Sequence, residues 1–81
     1  MNLAELKPGV HAVITDLSKT DRMVNKRLRD LGVTAGTLIC LRSVMPLGGP
    51  CCFESCGECI GIRRAEAETI DVECDTHWKS L

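Results

Sequence analysis

The chain reads as mainly β with one helix, folded as a small closed or nearly closed barrel of about five short strands. Short runs of β-branched and apolar residues recur between glycine and proline punctuation. A single segment carries helical periodicity, and 81 residues leave room for one small core.

Pro8-Gly9 marks a turn, and the run VHAVIT from Val10 to Thr15 follows as a first strand that starts near Gly9. Ser18 or Thr20 then offers an N-cap, and Asp21 falls in the first helical turn. Val24, Leu28 and Leu31 recur on one face before Gly32 supplies the stop. That stripe is expected to pack on the sheet, with Arg22, Lys26 and Arg29 turned to water. After Val33-Thr34-Ala35-Gly36, TLICLRSV makes a second strand, with Ile39 and Leu41 on one face and Leu38, Cys40 and Arg42 on the other. MPLGGP, residues 45–50, breaks the pattern as a loop.

In residues 51–63 an inward Phe53 takes Cys51 and Ser55 to its own side and sends Cys52, Glu54 and Cys56 outward. Gly57-Glu58 has the glycine-first signature of a two-residue type II′ turn. That turn would make Cys56 and Cys59 direct cross-strand neighbours and return Ile60 and Ile62 inward. Arg63 to Glu68 suits a short helical turn, and ETIDVE closes the regular part with a strand burying Ile70 and Val72. The expected order is β-α-β-β-β-β, and periodicity ends at Cys74.

The opening MNLAELKPGV lacks the basic start and unbroken apolar run of a signal peptide, and no later stretch is long enough to span a bilayer. A cytoplasmic location is therefore expected, and with it reduced thiols rather than three structural disulfides. Phe53 and Trp78 are the aromatics, which leaves the core to Leu, Ile and Val and little to stack on nucleic-acid bases. Residues 1–50 carry seven bases against four acids, and residues 51–81 three against seven. The resulting basic face falls short of a nucleic-acid footprint, and a solvated helix surface is its simpler reading.

Four of the six cysteines, Cys51, Cys52, Cys56 and Cys59, lie within nine residues. Cys56-x2-Cys59 followed by Cys74-x2-His77 has the spacing of a tetrahedral metal site, provided the C-terminal tail folds back over the hairpin; Zn(II) or Fe(II) are the ions it would hold. Opposed across the ladder, Cys56 and Cys59 could instead close a reversible disulfide. The third reading is that cysteines here are small apolar filler, Cys51 above all. The pattern requires no cofactor. It offers no nucleophile, base and orienter, no phosphate-binding glycine loop and no H-E-x-x-H, so recognition is expected rather than catalysis. Met45, Pro46 and Leu47 form the best candidate patch, in a stiff glycine-flanked loop, with Arg22, Lys26 and Arg29 steering toward an acidic surface. Leu47 could alternatively plug the barrel end.

L-x-x-L-K-P-G from Leu3 to Gly9, R-L-R-D-L-G from Arg27 to Gly32, V-T-A-G-T from Val33 to Thr37, P-L-G-G-P from Pro46 to Pro50 and I-R-R-A-E-A from Ile62 to Ala67 occur in this order. Together they resemble the ferrous iron transport protein A family, FeoA, from about residue 3 to residue 73. The resemblance implies an SH3-like β-barrel with a helix inserted after the first strand. It also implies a non-enzymatic cytoplasmic accessory of FeoB, the membrane Fe(II) permease that carries a GTPase domain. On that reading residues 1–75 form the FeoA-like barrel domain and 76–81 a flexible C-terminal tail. The partner is then the permease, with no nucleic acid and no direct membrane insertion. The alternative is a small metal-binding protein that holds Zn(II) or Fe(II) through Cys56, Cys59, Cys74 and His77. Family members usually carry aliphatic, charged or aromatic residues where this chain has Cys51, Cys52, Cys56, Glu58 and Cys59. The resemblance therefore leaves the cysteine cluster and the tail CDTHWKSL unexplained.

Overall fold

A computed structural model describes residues 1–45 and 47–74. Five strands, β1 (His11–Asp16), β2 (Leu38–Val44), β3 (Cys51–Ser55), β4 (Glu58–Ile62) and β5 (Asp71–Cys74), pair antiparallel in the order β4-β3-β2-β1-β5. The fold is mainly β with one principal helix, α1 (Arg22–Asp30), inserted after β1 as expected. A 3-10 turn at Leu3–Glu5 and a single-turn helix, α2 (Arg64–Ala67), complete the elements.

Register shifts between Ile14 and Asp16 on β1 and between Leu41 and Ser43 on β2 mark bulges, which add twist and bend the sheet toward a barrel. The ladder stops at β4 and β5 without joining them. The N-terminal segment covers the β5 edge instead: Asn2 bridges Asp71, Leu3 N donates to Ile70 O at 2.9 Å, and Val72 N donates to Met1 O at 2.9 Å. Backbone donors that would template another chain are thereby occupied.

Strand alternation places the core where the sequence puts it. Cys51, Phe53 and Ser55 of β3, Ile60 and Ile62 of β4, and Ile39 and Leu41 of β2 are buried, joined by Leu3, Ile14, Val33 and Ile70. α1 adds Val24 and Leu28 to that core.

Three local expectations are corrected. The N-cap of α1 is Asp21, whose Oδ1 accepts from Met23 N at 2.7 Å. Thr20 is drawn away from the role because its hydroxyl donates to Leu17 O at 2.6 Å and accepts from Asn25 Nδ2 at 3.1 Å. Leu31 is 42% exposed, although it falls on the helical stripe. Gly32 at φ +81° reverses the chain, Gly32 N bonds Arg29 O at 3.0 Å, and Val33 N bonds Leu28 O at 2.8 Å. This C-terminal closure folds Val33, not Leu31, back over Leu28, and Val33 is fully buried.

The third correction concerns the hairpin. Ser55 pairs with Glu58 and Glu54 with Cys59, so the two-residue turn is Cys56-Gly57 and not Gly57-Glu58. Cys56 at φ +52° and Gly57 at φ +84° are both left-handed, the signature of a type I′ turn, in which glycine is favoured at the second central position. Cys56 and Cys59 are consequently not cross-strand neighbours, which removes the geometry on which their disulfide rested.

Candidate functional site

The capped helix α1 presents Arg22, Lys26, Arg27 and Arg29 on its exposed surface. Met23 lies one position before Val24, off the buried stripe, and is 81% exposed. It borders three shallow hollows. One, of about 580 Å³, runs between Val24 and Arg27 of α1 and Pro50, Gly61 and Arg63 beyond it. A second, of about 660 Å³, is flanked by Arg22, Lys26 and Arg29, and a third, of about 350 Å³, by Lys26, Asp30 and Leu31. Arg27 has a structural task, because its Nη2 donates to Gly61 O at 2.8 Å. Among the described residues the ion pairs are Lys19–Asp71 and Arg42–Glu54, so the cations of α1 are not spent on neighbouring carboxylates.

The loop that ends at Pro50 extends this surface. Met45 N donates to Pro50 O at 3.1 Å and closes it. Met45 is exposed, and Leu47 is entirely in solvent at 103%, which rules out its use as a plug. Leu47 is also left-handed at φ +61°, and Gly48 follows at +77°. A branched residue in that region is strained, and here its apolar side chain also stands in water. Pro46 lies outside the described residues.

The outward faces of β2, β3 and β4 carry a second cluster. Glu54 pairs with Cys40 of β2 on one side and with Cys59 of β4 on the other. Arg42 Nη2 donates to Glu54 Oε1 at 2.7 Å, and that contact holds the guanidinium pKa above its ordinary value. Cys40 is 4% exposed although it points outward, lying between its cross-strand neighbours His11 and Glu54. Cys52 is half-buried; burial pushes its thiol pKa up, and the neighbouring Cys59 thiol pushes it further. The sequence reading placed Cys52 outward but missed its closeness to Cys59, which follows only from the corrected turn.

Of the expected metal ligands, Cys56 is exposed in the turn and Cys59 exposed on β4. Cys74 is on β5, at the other end of the strand order, with its Sγ 3.6 Å from Met1 Sδ. His77 lies outside the described residues. Among the described residues no three Cys, His, Asp or Glu side chains gather as ligands for a metal ion. No helix of the described residues is long and apolar enough to cross a membrane.

The sequence model of the FeoA domain family matches residues 1–74. The solution structure of FeoA from Chlorobium tepidum is 36% identical, with 91% of this chain and 70% of that chain covered, at a TM-score of 0.85. Iron(II) transport protein A from Clostridium thermocellum is 34% identical, with 91% and 45% covered, at a TM-score of 0.82. Stenotrophomonas maltophilia FeoA, solved in complex with zinc, is 28% identical, with 90% and 89% covered, at a TM-score of 0.70. That protein is described as a prokaryotic SH3 domain protein and a candidate activating factor of ferrous iron transport. A search of curated proteins finds no match.

Proposed function

Since this chain belongs to the FeoA domain family, a family of ferrous iron transport, we propose that it is a non-catalytic accessory that docks on the cytosolic part of an FeoB-type permease. One observation carries this reading. Met23 stands in water on a capped helix beside the unspent charges of Arg22, Lys26 and Arg29, and Leu47 stands in water on a closed loop whose last residue, Pro50, lines a groove with Met23. Isolated exposed apolar residues are common, but an apolar tip set among cations on a capped helix suits a partner surface that is acidic with apolar recesses. Met45 and Pro46 belong to the same proposed surface. Little ordering entropy is lost on binding when the anchors already sit on formed structure. The candidate activating role described for the zinc-bound relative agrees with an accessory of this kind.

The test is a binding isotherm between this chain and the isolated cytosolic domain of the permease, repeated with Arg22, Lys26 and Arg29 changed together to Glu. Micromolar binding that is lost in the triple variant and weakens with salt supports the reading. Absence of binding at those concentrations, or binding indifferent to both changes, refutes it.

A further inference from the structure

The cysteines on the outward sheet face take no part in that docking surface, and their arrangement supports a separate function. We propose that Cys52 and Cys59 form a two-thiolate site for a soft monovalent cation, with copper(I) as the ion that fits it.

The geometry follows from register. Cys52 of β3 pairs with Gly61 of β4, and Glu54 of β3 pairs with Cys59, so Cys52 and Cys59 are diagonal neighbours on one face of adjacent strands. Burial first, and then the nearness of Cys59, push the Cys52 thiol pKa up. Gly61 brings no side chain to the place opposite Cys52, and a methyl group there would meet nothing within 4 Å, so the pair is open to solvent on that side. Cys59 is itself exposed, on the edge strand.

Three features select the ligand class. Diagonal positions lie about 7–8 Å apart at Cα, beyond the span of an unstrained disulfide, whereas an ion between the sulfurs adds the length of two metal–sulfur bonds. Zinc(II) and iron(II) in protein sites take four or more ligands, and no third Cys, His, Asp or Glu gathers with this pair among the described residues. The nearest carboxylate, Glu54, is bound to Arg42 at 2.7 Å. A monovalent d10 ion is satisfied by two thiolates in a line, and thiolate is the ligand that favours copper(I). On binding, two neutral thiols release two protons and accept one monovalent cation, leaving a complex with a single negative charge. The Arg42 guanidinium, bonded to Glu54, which is the cross-strand partner of Cys59, lies on the same face to balance that charge.

The test titrates the reduced chain with copper(I) under anaerobic conditions, without added thiol, against a coloured copper(I) chelator. The expected result is one tightly held ion per chain with a thiolate-to-copper ultraviolet band. Cys52→Ser and Cys59→Ser should each weaken retention at least about a hundredfold, the upper end of what losing even an outer partner costs a metal site. Cys56→Ser and Cys74→Ser should leave it unchanged. In the unmodified chain, copper(I) should protect Cys52 and Cys59 from alkylation and leave Cys56 reactive. Retention at parental affinity in either Cys52→Ser or Cys59→Ser overturns the proposal. So does a requirement for Cys56 or Cys74, or displacement of copper(I) by equimolar zinc(II).

Discussion

Arg27 Nη2 meets the carbonyl of Gly61 at 2.8 Å, a side-chain bond that ties the exposed face of α1 to the free edge of β4. β4 has no strand beyond it, so its outer carbonyls would otherwise face water, and the guanidinium covers one of them. The same bond sets where Met23 and the rest of α1 stand relative to Pro50 across the groove. Arg27→Ala should therefore cost about 0.5–1 kcal/mol in urea unfolding, the scale of one solvent-accessible hydrogen bond. It should also move the amide resonances of Gly61 and its neighbours, and unaltered resonances there would count against the tie.

Leu47 should be a position where stability and binding move in opposite directions. Its left-handed φ of +61° costs a branched residue about 1–2 kcal/mol, which glycine does not incur. Leu47→Gly is expected to raise the unfolding midpoint and to weaken docking on the permease domain. A variant that is both more stable and fully binding would show that the strained leucine has no part in recognition.

Two glycines should respond with opposite sign to alanine. Gly32 sits at φ +81° in the closure of α1, so Gly32→Ala should destabilise by about 1–2 kcal/mol. Gly61 lies in β4 without a left-handed φ and has open space where a methyl would go, so Gly61→Ala should be neutral or stabilise by up to about 1 kcal/mol. Chemical denaturation of both variants checks the pair.

Most of the architecture was legible in the sequence because alternation and helical period are local signals. Phe53 takes Cys51 and Ser55 inward, and Val24 and Leu28 bury one face of α1, both as the pattern implies. Leu31 misled because the backbone reversal at Gly32 substitutes Val33 for it, an effect of chain direction that periodicity does not encode. The hairpin misled because Gly57 serves equally as the first residue of one turn type and the second of another. Shifting the turn by one position changes the partner of Cys59 from Cys56 to Glu54. The exposure of Met23 had a sequence signal, an apolar residue one step off the stripe. The grooves beside it depend on tertiary packing.

Acid should remove one small contribution at the entrance to α1. Asp16 accepts from Ser18 N at 3.0 Å and from Ser18 Oγ at 2.8 Å, and these bonds, the backbone one first, hold its carboxyl below the ordinary range. A depressed folded pKa means the contribution is present above the unfolded value of about 3.9 and is lost as pH falls through the folded one. Asp16→Asn should flatten the stability profile in that acid window and leave its shape near neutrality unchanged. Thermal melts across the acid range provide the comparison.

The central claim is that α1 and the loop beside it form the surface that meets the permease. It is tested most directly by mapping amide shifts of the labelled chain as the permease's cytosolic domain is added at micromolar concentrations. The expected shifts fall on Arg22, Met23, Lys26, Arg29, Met45 and Leu47, with the outward residues of β2 to β4 quiet. A spectrum that does not change, or changes confined to Cys52, Glu54 and Cys59, would contradict the account.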